Sequence, residues 1–393
     1  MPSLQTLWWP SLCSLTEIVA SSPRTTRTHR RGSELKALIL WAEPQSKNLG
    51  VRVLAEGSQA LLEKVYPAVD VAFQGFGAGD APVRIGLPRG QLRRLVSRQD
   101  ELVDWVRTFD LVVDTRAGDS FADIYGQRRL FVMTLMAEIV AKAGVPLVLG
   151  PQTIGPFTTR RGRGMARRSL KAARLVMARD PESAQQADRV GRPVDITTTD
   201  VVFALDPVLP GGRRDVLLNP SGLLWGENEH VNSADYQALI RGVCNALLNQ
   251  GRRVSLIAHV LESPLRDNDV PVVRALGREL GEQVEVLVPL DLPDVRSMLA
   301  SAEVVIGSRM HACLNALSVG RPAIPLAYSR KFDPLLRHIG WNNTVDLRTD
   351  ADPVARVLRA LDAPDLTTRV GEVSDRAQEL LARAGSMLSP ALG

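Results

Sequence analysis

Short apolar runs alternate with stretches of helical period along nearly the whole of this 393-residue chain, and the alternation occurs twice. Ala37–Trp41 (ALILW) is followed by a helical pattern over Val51–Val65. Val69–Phe73, a helix around Asp100–Thr108 and the run Asp110–Asp114 (DLVVD) come next. Leu130–Ala143 reads as a helix, Pro146–Gly150 as a strand, Arg160–Ala173 as a basic helix, Arg174–Ala178 as a strand, and a further helix starts at Pro181. Asp200–Leu205 closes this half. The proline- and glycine-rich stretch Asp206–Arg214 (DPVLPGGRR) has no periodicity and reads as a linker.

The pattern then restarts. Strands are expected at Val216–Asn219, Arg253–His259, Val284–Val288, Glu303–Gly307 and Pro322–Ala327. Helices are expected at Ala234–Asn249, Val272–Leu280, Val295–Ala300 and His311–Val319, with two more, Pro353–Leu361 and Glu372–Ala384, at the end. Apolar strands joined by helices imply parallel sheets covered on both faces. The expected architecture is α/β, with a first Rossmann-type domain over 37–205, a linker over 206–214, a second over 215–350 and closing helices over 351–393. Such sheets bind ligands beyond the carboxyl ends of their strands, so the loops after strands are the places to look.

Composition removes several alternatives. The three cysteines, Cys13, Cys244 and Cys313, are far apart, which argues against a disulfide framework or a structural zinc site. Aromatic residues make up only 5%, few for nucleic-acid binding by base stacking. The net charge of +5 is unevenly spread: residues 1–36 contribute +3, and the rest, with 43 basic and 41 acidic residues, is nearly balanced. No nucleic-acid partner is expected. Residues 1–36 read as a basic disordered extension. Leu4–Ala20 is broken by Pro10 and Glu17 and lacks the layout of a signal peptide, and no later run is long enough to span a bilayer. A cytoplasmic protein is expected, with at most peripheral contact with a membrane.

Chemistry concentrates at strand ends. Gly307-Ser308-Arg309-Met310-His311-Ala312 follows a strand and opens a helix, where backbone N–H groups favour anions. Arg309 adds a planar fork for carboxylate or phosphate, and His311 can exchange a proton near neutral pH. Lys331 lies beyond the strand Pro322–Ala327 and is one of only six lysines in a chain with 42 arginines. Arg179 follows the strand Arg174–Ala178. The loop Pro151–Phe157 can present Gln152. Gly118–Asp123 places Asp119 and Asp123 together; without a histidine or third carboxylate nearby, metal is the weaker use of them and sugar hydroxyls the better. Lys47-Asn48-Leu49-Gly50 lacks the glycine fingerprint of NAD or FAD binding, and no Walker A motif is present.

Asn48-Leu49-Gly50, GPQTIGPF (Gly150–Phe157), Ala178-Arg179-Asp180 with Ser183, and above all GSRMHACLNALSVGRPAIPLAYSRK (Gly307–Lys331) together resemble the polysaccharide pyruvyl transferase family, over roughly Ala37–Asp346. The resemblance implies a two-domain GT-B fold and transfer of a pyruvyl group from phosphoenolpyruvate to two hydroxyls of a saccharide as a ketal, without metal or organic cofactor. It implies that Arg179, Arg309 and Lys331 bind the donor and that His311 is the general acid/base. Ser308 joins the donor side, and Asn48, Asp119, Asp123 and Gln152 the acceptor side. This chain departs from the family pattern at Thr115-Arg116-Ala117-Gly118-Asp119, where members commonly have a Gly-Gly turn, and at Val51, where many carry an acidic residue. The competing readings are a GT-B glycosyltransferase using a nucleotide sugar and a non-catalytic sugar-binding relative.

Overall fold

A computed structural model describes residues 35–77, 79–86, 100–264 and 267–392. All but the last two residues of the expected basic extension therefore lie outside the described residues. The first half is a six-stranded sheet of β1 (Lys36–Leu40), β2 (Asp70–Gln74), β3 (Leu111–Asp114), β4 (Leu147–Gln152), β5 (Leu175–Ala178) and β6 (Ile196–Thr197), in the order β2-β1-β3-β4-β5-β6. The second contains β7 (Arg214–Asn219), β8 (Val254–Ile257), β9 (Val284–Leu287), β10 (Ala302–Gly307), β11 (Ala323–Ala327) and β12 (Val345–Asp346), in the order β12-β11-β10-β7-β8-β9. Every pairing is parallel. The second order is that of a dinucleotide-binding sheet, with its reversal between β7 and β10; the first reverses between β1 and β3.

The uninterrupted apolar runs are explained by burial on both faces. Along β1, Ala37 and Ile39 enter one core while Leu38 and Leu40 enter another, as the two-residue period of a strand requires. The core holding Ala37 and Ile39 is continuous with that of the second half, which contains Leu217, Ile306 and Leu326. The contacts join the described residues, from 35 to 392, into a single unit.

Most expected helices appear within a few residues of their sequence positions. The last runs over Leu366–Leu392, well beyond Glu372–Ala384. Val370, Val373, Ala377, Leu380, Leu381, Ala384 and Leu388 form its buried stripe. It returns to the first half: Thr198 Oγ1 donates to Leu380 O at 3.0 Å and Tyr66 OH to Leu388 O at 3.2 Å. Asp200–Leu205 proves to be a 3₁₀ turn over Val201–Ala204, capped by Asp200. Among the described residues, five short elements escaped the sequence reading: β6, β12, the helices Gly222–Trp225 and Phe332–His338, and the 3₁₀ turn Gly281–Gln283. Each is too short for its period to register.

The two halves meet at their strand ends. Leu49 N donates to His259 O at 3.2 Å and Leu261 N to Lys47 O at 2.7 Å, an antiparallel bridge between the loops after β1 and β8. No described helix is long and apolar enough to cross a membrane.

Candidate active site

The second half presents its chemistry from the turn after β10. Gly307 is required there: a Cβ would lie 2.7 Å from Cys313 Sγ, so only glycine lets the strand and the helix Met310–Ser318 approach so closely. The turn is tied across the sheet reversal to Asn219, whose Oδ1 accepts from Arg309 N at 3.1 Å and whose carbonyl accepts from Ser308 N at 3.0 Å. Ser308 is buried, its hydroxyl 2.7 Å from Tyr236 OH.

Arg309 is held differently from the expectation that it faces the donor. Its Nε and Nη2 donate to Asp269 Oδ1 at 3.1 and 2.7 Å, and Nη2 also donates to the Asp267 carbonyl. Asp269 in turn accepts from the backbone N–H groups of Gly222, His259 and Val260. The guanidinium charge is thus balanced inside the second half, where it fastens the loops around the turn.

His311 projects from the first turn of Met310–Ser318 toward the first half. Its Nε2 lies 3.5 Å from Asp200 Oδ2, and only 15% of its side chain is exposed. Asn315, one turn on, donates to the His311 carbonyl at 2.8 Å and lies 3.3 Å from His259 Nε2. His259 is fully buried. Burial, then His311 and Arg309, push its proton affinity well down, so it is neutral.

The first half contributes Arg179, just beyond β5 and fully buried. Nη1 donates to Asp200 Oδ2 at 2.9 Å and Nε to Thr153 Oγ1 at 2.8 Å, while Nη2 has no partner among the described residues. Burial alone would raise the Asp200 carboxyl. His311 and Arg179 outweigh it and hold the group well below the usual carboxylate range. The neighbouring Asp180 pairs with no cation among the described residues. It caps the helix Pro181–Arg189 through Ser183 N at 2.7 Å and accepts from the Ser183 hydroxyl, which itself accepts from Ile154 N at 3.0 Å. Asp180 and Ser183 thereby hold the loop after β4 in place.

Lys331 faces Asp119 across the cleft in an ion pair, and Arg330 bonds Glu182 at 3.2 Å and Gly155 O at 3.0 Å. A cavity of about 300 Å³ opens here, lined by Asp119, Tyr125, Thr153, His230, Tyr328 and Lys331 among others. Burial opposes ionisation of Asp119, but Lys331, Arg179 and Arg129 bring its pKa down to about 2. Asp119 therefore adds stability that is complete above about pH 4 and is lost as the pH falls toward 2. Asp119→Asn is expected to be less stable at pH 7, and its unfolding free energy to change less between pH 4 and 2. The difference in slope corresponds to about 1–2 kcal/mol after allowance for partial exposure. Urea titrations at stepped pH check this, and parallel curves would contradict it.

Of the expected acceptor residues, only Asp119 lines this cavity. Asp123 is turned away from it: its carboxylate accepts from the backbone and hydroxyls of Thr158 and Thr159 at 2.7–3.2 Å and so anchors the start of the helix Arg160–Ala172. Asn48 caps the helix Leu49–Val65 through Gly50 N at 2.9 Å. Gln152 is fully buried at the end of β4, its amide without a partner among the described residues. At the departure from the family turn, Arg116 and Ala117 have φ of 49° and 50°, the left-handed region that favours glycine. Arg116 is held there by Asp114 at 3.0 Å and by the Phe121 ring.

Sequence reasoning missed Asp200, Thr153 and His230. Asp200 carries no local signal, because an aspartate before an apolar turn is an ordinary cap.

Gly50 of the Asn48-Leu49-Gly50 motif has a steric reason in the structure. A Cβ there would lie 2.8 Å from His311 Nδ1. Alanine is the better helix former by about 1 kcal/mol, so Gly50→Ala is expected to unfold within a few degrees of the parent. Its turnover should fall about 10²-fold as the imidazole is displaced. Thermal unfolding and initial rates measure the two effects; unchanged turnover would mean the ring is free of residue 50.

Two doubly wound parallel sheets whose strand ends meet define a GT-B-like protein. Solved structures agree: UDP-GlcNAc 2-epimerase from Neisseria meningitidis has a TM-score of 0.56 at 10% identity, over 91% of this chain and 99% of that one. The enzyme of the same name from Methanocaldococcus jannaschii has 0.51 at 12% identity, over 88% and 99%. At such identities the likeness is one of fold. The chain belongs to the polysaccharide pyruvyl transferase family, whose profile matches residues 48–330. A similar relative is the amylovoran biosynthesis protein AmsJ of Erwinia amylovora, 22% identical over 291 residues, 67% of this chain and 68% of that one. Family membership makes the chain a transferase of polysaccharide biosynthesis.

Proposed function

We propose that this protein transfers the pyruvyl group of phosphoenolpyruvate to two hydroxyls of one saccharide, forming a ketal and releasing inorganic phosphate. The observation that carries the reading is the buried Arg179, joined through Thr153 to the cavity that Lys331 lines and through Asp200 to His311, with its Nη2 lacking a protein partner among the described residues. Phosphoenolpyruvate has a carboxylate and a phosphate, and two cations beside an imidazole suit both its charge and its chemistry.

Arg179 and Lys331 hold the donor; Lys331 exchanges Asp119 for the incoming anion. His311 delivers a proton to the methylene carbon, which makes C2 electrophilic. A sugar hydroxyl attacks C2 and gives up its proton. The C2–O bond to phosphate then breaks, and the second hydroxyl closes the ketal; of the two hydroxyl protons, one restores His311 and the other leaves on the phosphate as hydrogen phosphate. Asp119, on the cavity wall, accepts from an acceptor hydroxyl. Arg309 acts by fastening the turn that carries His311. Because the donor arises in central metabolism, the reading places the enzyme in the cytoplasm.

The test is phosphate release from phosphoenolpyruvate with a panel of saccharides bearing 1,2- and 1,3-diols, read beside the ketal methyl signal by NMR. Release that depends on the acceptor, matched by ketal, is expected, as is a rise in unfolding temperature with phosphoenolpyruvate. Stabilisation by nucleotide sugars alone, with no phosphate released for any acceptor, would overturn the reading in favour of glycosyl transfer.

A further inference from the structure

We propose that Asp200 is the positioning residue of His311: a carboxylate of the first half that fixes which nitrogen of a second-half imidazole carries the proton. The kinetic part rests on the pyruvyl-transfer reading above; the spectroscopic part does not.

The geometry is specific. Asp200 is 1% exposed. Its Oδ1 accepts from Val202 N at 3.0 Å, which pins the carboxylate at the start of the 3₁₀ turn. Oδ2 is left for two groups, Arg179 Nη1 at 2.9 Å and His311 Nε2 at 3.5 Å. The second distance is long for a hydrogen bond, as such contacts often are without substrate. His311 Nε2 is buried and has no other partner among the described residues.

The charged and titratable groups around the ring are few. From the first half come Asp200 and, through it, Arg179. From the second come His259, reached through Asn315, and Arg309 behind it. Arg179 and Arg309 have no acceptor to offer, and His259 receives the Asn315 amide. Asp200 is thus the acceptor available to His311 Nε2. A carboxylate there places the proton on Nε2 and leaves the lone pair on Nδ1. Nδ1 lies beside Gly50, which carries no side chain to cover it. Nδ1 is thus the nitrogen that gives and takes the transferred proton, as imidazolium when it donates to the methylene carbon, and this arrangement is complete only when the two halves meet.

The experiment uses the full chain with ¹⁵N-labelled histidine. The chain has five histidines, so the His311 signals are identified by their loss in His311→Gln. Long-range ¹H–¹⁵N spectra of the neutral ring read which nitrogen is protonated. The parent is expected to show Nε2–H, and Asp200→Asn to show Nδ1–H or an averaged pair. Turnover of Asp200→Asn should fall about 10³–10⁴-fold, the scale seen when a catalytic imidazole loses its orienting carboxylate. If that variant does not fold, the same spectrum is taken on Asp200→Asn/Arg179→Gln, which removes both charges of the buried pair.

An unchanged Nε2–H signal in the folded variant overturns the assignment whatever the rate. A changed tautomer with parental turnover overturns its catalytic importance. A changed tautomer in a protein whose parent releases no phosphate from phosphoenolpyruvate upholds the positioning role and removes the pyruvyl-transfer reading instead.

Discussion

His311→Gln is expected to lose about 10³–10⁴-fold in acceptor-dependent phosphate release while keeping the parent's far-ultraviolet spectrum and cooperative unfolding. General acid–base catalysis by one side chain contributes about 10²–10⁴-fold. His311 is expected near the upper end because the proposed reaction moves protons at both the methylene carbon and the attacking hydroxyl. The fold should tolerate the change. Among the described residues the ring makes no backbone hydrogen bond, and the Asn315 contact uses the His311 carbonyl. Glutamine is polar and of similar volume, so it leaves neither a large cavity nor an apolar surface against Asp200. The measurement is steady-state turnover at saturating donor, with binding of phosphoenolpyruvate followed separately by calorimetry. Retained binding with lost turnover supports a role in proton transfer. Turnover within ten-fold of the parent would remove His311 from the mechanism.

Arg179→Ala should be costly in a different way. Arg179 and Asp200 are a buried pair with side chains 1% exposed. Removing one member of such a pair leaves the other charge buried and uncompensated, which costs about 3–5 kcal/mol. The variant should therefore unfold at clearly lower urea concentration and should no longer bind phosphoenolpyruvate detectably. The two effects are separable. Arg179→Gln/Asp200→Asn replaces both charges with amides of similar size and should recover most of the stability, since the unbalanced charge is gone. Donor binding should remain absent. Recovery of both stability and binding in the double variant would mean that Arg179 is structural and that the donor's anions are held elsewhere.

The fold was legible because its cause is local and repeated. Runs such as DLVVD and EVVIG are buried on both faces, and helices intervene at parallel-crossover spacing. The elements that escaped, β6, β12, Gly222–Trp225, Gly281–Gln283 and Phe332–His338, have two to seven residues and take their conformation from neighbours already in place. The site was legible in part. Arg179, His311 and Lys331 could be singled out because each follows a strand, and the carboxyl ends of strands in such sheets face the cleft. Arg309, Ser308 and Asp123 occupy the same kind of position, yet the structure commits them to Asp269, Tyr236 and the Thr158–Thr159 turn. Proximity in sequence to a ligand loop does not say whether a polar side chain is free or already bonded.

What the sequence determined by itself is therefore the architecture and the edge on which chemistry occurs, because both follow from period, length and the direction of parallel strands. What only the tertiary structure decided is which charges are neutralised within the protein and which remain for a ligand. Asp200 shows why. In sequence it is one more helix cap. In the folded chain its second carboxylate oxygen meets Arg179 and His311, residues from opposite halves, and that meeting depends on how two separately wound sheets pack, which no local pattern encodes.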